Sequence, residues 1–172
     1  MQPTTDTAPG DAPLYTTERG YRRFLARIAK ARADYDVVVA SNSDAADAGD
    51  NSVWHDNFAY EENQRQMHQL ARRVRDLEGL ARRITVVPPR ARFERVTVGC
   101  AVTLDDDEGR SERVVIGGYE DSDTAFRRVA YTAPLGQALL GAEEGDARTL
   151  QLAGRVREVT VTAIEPARPE EL

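Results

Sequence analysis

Two apolar stripes at helical spacing, separated by an acidic segment, constrain the fold of this chain more than any other feature. The first stripe repeats at intervals of three and four residues through Tyr21, Phe24, Ile28, Ala31, Tyr35 and Val38. The second repeats in the same way through Tyr60, Asn63, Met67, Leu70, Val74, Leu77, Ala81 and Ile84. Narrow stripes of this kind are typical of helices that pack as a coiled coil. Because Thr16 and Thr17 can cap the first helix and Pro88 and Pro89 can end the second, we predict an antiparallel helical hairpin over residues 14–87.

The composition favours a soluble globular chain. Hydrophobic residues make up 41% and charged residues 30% of the 172 residues, and the formal net charge is −6. No apolar run approaches the roughly 18 to 20 residues that cross a bilayer. Residues 1–13 lack the pattern of a signal peptide, so we expect a disordered tail there, a cytoplasmic protein and no membrane partner. Cys100 is the only cysteine, which excludes an intramolecular disulfide.

The segment between the stripes, SNSDAADAGDNSVWHD at 41–56, carries four acidic residues: Asp44, Asp47, Asp50 and Asp56. Burying these carboxylates together would carry a large desolvation cost. We therefore predict a solvated tip, with Asp44 and Asp47 at the end of the first helix. Trp54 either packs back on the helices or offers an apolar contact to a partner. His55 is either solvated or bonded to the backbone, or it serves as a base or metal ligand.

Arginines concentrate on the second predicted helix and just after it: Arg65, Arg72, Arg73, Arg75, Arg82, Arg83, Arg90 and Arg92. Arg65, Arg72 and Arg75 are separated by seven and three residues, so they share roughly one helical face. Two interpretations of this face stay open. It pairs with acids of the first helix and solvates the hairpin, or it attracts the phosphates of an RNA segment.

Beyond the prolines the pattern changes to short strands and turns. Alternation at period two predicts a strand over 96–104, and further strands are expected at 113–117, 126–131, 149–152 and 155–164. A short helix is expected over 134–140 because Pro134 lies at its start. Turns are expected at 105–109 and 141–146. These elements predict an α+β domain with a twisted antiparallel sheet over residues 88–166, followed by a tail at 167–172.

Several of these segments resemble motifs of the Gre family of transcript cleavage factors. PLGQALLG at 134–141, followed by a turn with GD, resembles the C-terminal signature S-P-[LI]-G-x-A-L-[LI]-G, although Ala133 replaces its serine. VTVGCAVTL at 96–104 and VVIGGYEDSD at 114–123 resemble two further motifs of that domain. TTERGYRRF at 16–24 and DNFAYEENQRQM at 56–67 resemble motifs of the family's two N-terminal helices.

The resemblance implies an N-terminal coiled coil, a C-terminal FKBP-like domain, and RNA polymerase core as the partner. Members of the family dock the globular domain at the rim of the polymerase's secondary channel. The coiled coil then brings its tip to the nascent RNA 3′ end and the catalytic Mg²⁺, where the polymerase hydrolyses its own backtracked RNA. The chain would accordingly be an accessory factor and not an enzyme, a monomer with no cofactor and no stably bound metal when free. It would share Mg²⁺ with the polymerase only in the complex.

The resemblance also implies site residues. In the family motif D-L-S-E-N two tip acids help to hold the second Mg²⁺, and their counterparts here are Asp50 and Asp56. The implied tip contacts are Asp44, Asp47, Trp54, His55 and Asn57. The implied docking residues are Tyr119, Glu120, Asp121, Asp123 and Pro134, of which we expect Glu120, Asp121 and Asp123 on the surface.

The tip departs from the family pattern in two ways. Asp50 and Asp56 are six positions apart where the family's acids are three apart, and an Asp stands where the family has Glu. Because Mg²⁺ requires strict octahedral geometry, stimulated cleavage and occlusion of the channel without cleavage both remain open. A third hypothesis assigns a different class of function: a protein-binding module that does not bind RNA polymerase. Prolyl isomerase activity is not expected, because aromatic residues are only 6% of the chain.

Overall fold

The computed structural model describes residues 12–47, 56–152 and 155–172, with the side chains of 42–60 and 152–155 outside the description. The chain divides into two compact units. We call residues 23–82 the helical unit, and the residues up to 22 together with 83–172 the sheet unit. Segments 14–22 and 83–87, which we expected in the hairpin, thus belong with the sheet.

The helical unit contains most of two long helices, α1 (Glu18–Asp47, 30 residues) and α2 (Asp56–Ala81, 26 residues). The first stripe is confirmed, because Phe24, Ile28, Ala31 and Val38 are buried between exposed neighbours. In α2 the described stripe residues up to Ala81 are buried or half-buried, with Leu77 the most enclosed at 8% exposure. Arg32 of α1 reaches Glu78 of α2, with 2.6 Å between Nη2 and Oε1. The two helices form the predicted hairpin.

Both helices differ from the prediction at one end. The apolar pattern fades near Ser41, yet α1 continues to Asp47, which confirms the placement of Asp44 and Asp47 at its end. The prediction that the second helical stripe reaches Ile84 is wrong, because α2 ends at Ala81 and β2 (Ile84–Val86) follows. This β-branched segment pairs in parallel with β1 (Leu14–Thr16).

The sheet unit is built on five strands in the order β5-β4-β3-β7-β6. They are β3 (Cys100–Asp106), β4 (Ser111–Gly117), β5 (Arg128–Ala130), β6 (Ala147–Leu152) and β7 (Arg155–Pro166). All neighbouring strands are antiparallel except β4 and β5, which are parallel. Helix α3 (Pro134–Leu139) confirms the predicted short helix, and a 3-10 turn, Pro169–Glu171, lies in the expected tail.

The first predicted strand is shorter than expected. It begins at Cys100 and not at Val96, because Gly99 takes a positive φ of 92° that breaks the extended run. Val96 and Val98 are nevertheless buried, and the N–H of Val96 donates to the carbonyl of Ala142 at 2.8 Å. The alternation therefore identified core positions correctly while placing the start of the strand too early.

The core of the sheet unit lies between the sheet and α3. Leu104, Ile116, Leu139 and Leu150 are at most 1% exposed. Cys100 is fully enclosed among them, and burial raises the pKa of its thiol to about 11. The single cysteine is therefore a neutral core side chain near neutral pH. Among the described residues, no helix is long and apolar enough to cross a membrane.

The turn between β3 and β4 is organised by the carboxylate of Asp106. Its Oδ1 accepts hydrogen bonds from the N–H groups of Glu108 and Arg110, at 3.1 and 2.8 Å. Its Oδ2 accepts from the guanidinium groups of Arg110 and Arg157, at 2.8 and 2.9 Å. The N–H of Arg110, followed by its guanidinium, lowers the pKa of Asp106 from 3.8 to about 2.

This carboxylate predicts a specific acid sensitivity. Because the folded pKa of Asp106 lies below the unfolded one, its contribution to stability is complete above pH 4 and is lost as pH falls towards 2. We expect Asp106→Asn to lower the melting temperature by several degrees at pH 7 and to flatten its fall between pH 4 and 2. Thermal unfolding followed by circular dichroism measures both effects, with Asp107→Asn as the exposed neighbouring control. If the melting temperature of Asp106→Asn falls between pH 4 and 2 as steeply as that of wild type, Asp106 is not the source of this acid sensitivity.

Candidate functional site

The predicted docking segment follows β4 and is tied closely to the start of α1 within the sheet unit. A Cβ atom at Gly118 would collide with Thr16, and one at Gly20 would collide with Thr16 and lie 2.9 Å from Oδ2 of Asp121. Thr17 caps α1, since its Oγ1 accepts the N–H of Gly20 at 3.1 Å. Glycine is required at both positions because Thr16, and at Gly20 also the side chain of Asp121, leave no room for a Cβ atom.

Asp121 is buried, so our expectation that it lies on the surface is wrong. Its Oδ1 accepts a hydrogen bond from Nε of Arg128 at 3.0 Å, and the two side chains are 7% and 4% exposed. Arg128 also donates from Nη1 to the carbonyl of Glu171 at 2.6 Å and from Nη2 to Asp123 at 3.4 Å. A buried guanidinium needs such partners. Of the two carboxylates that pair with Arg128, that of Asp121 is more buried than that of Asp123.

The other predicted docking residues are more accessible. Glu120 is exposed and holds a left-handed backbone with φ of 51°. Asp123 has a side chain about one third exposed, Tyr119 is half-buried, and Pro134 is exposed at the start of α3. Their role in docking stays a prediction.

Sequence analysis missed Arg128 and Glu171 as organisers of this segment. Arg113 also forms an ion pair with the carboxylate of Glu171, so the 3-10 turn is held from two strands. The available signal was an arginine inside a predicted strand shortly after two acids, Asp121 and Asp123. Phe126, whose ring centroid lies 5.8 Å from the Arg128 guanidinium and which is 45% exposed, gave no signal in the sequence.

The arginine face of α2 remains exposed. Arg65 forms an ion pair with Glu62 at 3.3 Å and Arg72 with Asp76 at 3.9 Å, so both pair with acids of their own helix. Exposed pairs of this kind contribute only about 0–1 kcal/mol. Exchanging them for contacts with phosphate groups would therefore cost little.

The tip joins the end of α1 to the start of α2. Asp44 and Asp47 belong to the last turns of α1, and Asp56 and Asn57 are the first residues of α2. The side chains of all four lie outside the described residues, as do Asp50, Trp54 and His55 entirely. Within the described part of the chain no group of three or more metal-ligating side chains occurs. The backbone thus places carboxylate-bearing residues at the end of α1 and at the start of α2.

Comparison with known proteins supplies the family. The family described as "Transcription elongation factor, GreA/GreB, C-term" matches residues 91–166. A transcription elongation factor GreB of Neisseria meningitidis serogroup B is 32% identical over 123 residues, which cover 70% of this chain and 74% of that protein. A transcription elongation factor GreA of Sphingopyxis alaskensis is 27% identical over 147 residues, covering 85% of this chain and 91% of that protein.

Among solved structures, the GreA factor homolog 1 (Gfh1) protein of Thermus thermophilus is 21% identical, with a TM-score of 0.41, covering 89% of this chain and 99% of the other. That similarity is too low to support an inference about mechanism. The sequence relationships do not depend on it, since they extend over most of the chain and of the GreB relative. The chain belongs to the GreA/GreB family of transcription elongation factors.

Proposed function

We propose that this chain binds RNA polymerase at the secondary channel and directs the tip of its helical hairpin towards the catalytic Mg²⁺ site. The observation that carries the proposal is the placement of acidic residues at the end of α1 and at the start of α2, within a member of the GreA/GreB family. At 1.5 Å per residue, helices of 30 and 26 residues extend about 40 Å. That reach suits delivery of a tip through a narrow channel.

The tip offers the ligand type that Mg²⁺ prefers. Asp50 and Asp56 are the proposed pair that would help to hold the ion, and Asp44 and Asp47 are the alternative pair because they lie at the end of α1. When held there, Mg²⁺ would polarise a phosphate and lower the pKa of an attacking water. The chain itself supplies carboxylates and positions them. The polymerase supplies the rest of the catalytic centre, so the chain acts as an accessory factor.

A second candidate function is occlusion of the channel without cleavage. It is favoured by the spacing of six positions between Asp50 and Asp56, and by Asp where the family has Glu. Because an Asp side chain is one methylene shorter than Glu, its oxygens reach about 1 Å less far. Either function requires polymerase binding, which a protein-binding module of another class does not.

One experiment separates these functions. The chain is first tested for co-purification with core RNA polymerase, and is then added to a stalled, backtracked complex carrying labelled RNA. Stimulated cleavage gives short 3′ products, whereas occlusion slows nucleotide addition and gives none. If the chain neither co-purifies with polymerase nor alters either reaction, the proposed function is wrong.

Docking through the segment after β4 predicts a selective loss of affinity. Glu120→Lys and Asp123→Lys should each weaken polymerase binding about tenfold, or roughly 1.4 kcal/mol, because charge reversal juxtaposes like charges where opposite ones met. Glu120→Lys should change the melting temperature little, since Glu120 is exposed and pairs formed by exposed charges contribute only about 0–1 kcal/mol. Fluorescence anisotropy with labelled chain measures the affinity, and Glu158→Lys on β7 is the control. Unchanged affinity in both variants would remove this segment from the interface.

The arginine face predicts an effect on RNA and not on docking. Replacing Arg65, Arg72 and Arg75 together with Gln should reduce crosslinking to backtracked RNA several-fold, because three phosphate-neutralising charges are lost. Polymerase affinity should change less than twofold. Single changes at Arg72 and at the adjacent Arg73 form a matched pair, since their side chains point about 100° apart on α2. Equal crosslinking by wild type and the triple variant would refute an RNA-facing role.

A further inference from the structure

A cavity of about 290 Å³ lies within the sheet unit and has no part in the proposed function. Its lining includes none of the tip residues, the arginine face or the predicted docking residues. Instead, it is formed where the start of α1 meets the segment after β2 and the end of β7. The volume is at the lower limit of small-molecule pockets, so it suits a compact ligand.

The inner part of this cavity is apolar. Phe93 packs against the hydrophobic core, and Val98 is 6% exposed. Val87 and Leu172 add aliphatic surface, and the prolines at 88, 89, 166 and 169 add rigid rings. Because Phe93 and Val98 are held in or against the core and the proline rings are rigid, most of the apolar surface is already formed, and little conformational entropy is lost there on binding.

The rim of the cavity is cationic. Arg19, Arg22 and Arg90 line it and are exposed, whereas Glu18 is its one acidic side chain. Glu18 is already bound to Arg22, whose Nη2 and Nε lie 2.9 and 3.1 Å from its Oε1. That pair is neutral overall. Leu172, which also lines the cavity, carries the C-terminal carboxylate, so Arg19 and Arg90 leave one excess positive charge beside the positive end of α1.

We propose that this cavity binds a small apolar carboxylate, a molecule with a compact hydrocarbon or aromatic body and one acid group. The body would fill the space between Phe93, Val98 and Val87. The acid group would lie at the rim, where the planar guanidinium groups of Arg19 and Arg90 match a carboxylate in two parallel hydrogen bonds. A cation of the same shape is disfavoured by these charges, and a small anion without an apolar body gains nothing from the interior.

The probe for this site is sodium octanoate, titrated into the free full-length chain by isothermal calorimetry. Octanoate is expected to bind at one saturable site, at least tenfold more tightly than octylammonium or acetate. Amide shifts in a two-dimensional NMR titration should concentrate at Val87, Val98 and Gly99. Equal binding of octanoate and octylammonium, or an absence of saturable octanoate binding, would overturn the proposal.

Two variants test the two halves of the site. Arg19→Gln with Arg90→Gln should weaken octanoate binding at least tenfold, while the charge-matched control Arg73→Gln with Arg92→Gln should not. Ala167→Phe places a ring in the half-buried lining and should abolish binding, with an unchanged circular dichroism spectrum showing that the chain is folded. Undiminished octanoate binding in both cavity variants would place the ligand elsewhere and refute the site. Because polymerase is absent from this titration, its failure would leave the proposed function unaffected.

Discussion

Replacing Asp121 with Ala should lower the free energy of unfolding by about 3–5 kcal/mol, because it removes a carboxylate partner from a buried guanidinium. Arg128 is 4% exposed, and of its hydrogen-bonded partners it would keep the Glu171 carbonyl and the longer contact with Asp123, beside the ring of Phe126. A loss of this size is a large fraction of the roughly 5–15 kcal/mol that stabilises a typical domain. Urea unfolding, followed by far-UV circular dichroism, measures this loss in the free energy of unfolding.

Two further variants separate loss of the ion pair from loss of packing. Asp123→Ala should cost much less, since its contact with Arg128 is 3.4 Å long and its side chain is about one third exposed. The double change Asp121→Ala with Arg128→Met removes both charges, so it should be less destabilising than Asp121→Ala alone. If Asp121→Ala costs no more than Asp123→Ala, the ion pair does not stabilise the docking segment in the way described.

The burial of Asp121 could not be predicted from the motif in which it occurs. The motif after β4 predicts a docking segment, but the acids at 120, 121 and 123 look alike in sequence. Their burial depends on Arg128 and on Glu171, which lies 43 residues further along the chain. Such long-range partners leave no local periodic signal, and the predicted surface position of Asp121 was wrong for that reason.

The helices and the main strands could be predicted because their signal is local. Phe24, Ile28 and Ala31 repeat at helical spacing, and each is buried where the repeat places it. The pairing of β1 with β2 could not be predicted, since it joins Leu14 to Ile84 through strands of three residues. Ile84 continued the helical repeat by coincidence of spacing, and its β-branched neighbours in Ile84–Val86 favoured the strand.

The tip carries the prediction with the largest functional effect. Asp50→Ala and Asp56→Ala should each abolish stimulated RNA cleavage while leaving polymerase affinity within twofold of wild type. Two carboxylates about 4 Å apart in water repel by only roughly 1 kcal/mol, so the free chain tolerates them. In the proposed complex the same charges would favour a divalent cation, and losing either one would remove a ligand. Cleavage is measured as short 3′ products from a stalled, backtracked complex, across a range of Mg²⁺ concentrations.

The controls for the tip come from α1. Asp36→Ala removes an exposed acid of α1 that lies well before the end of that helix at Asp47, and this variant should stimulate cleavage like wild type. Cleavage that survives the double change at Asp50 and Asp56 would reject that pair and transfer the role to Asp44 and Asp47, which the matching double change would then test.

If the wild-type chain slows nucleotide addition and yields no short product at any Mg²⁺ concentration, the acids of the tip do not serve cleavage. The longer Asp50–Asp56 spacing would then have converted a cleavage tip into one that occupies the channel.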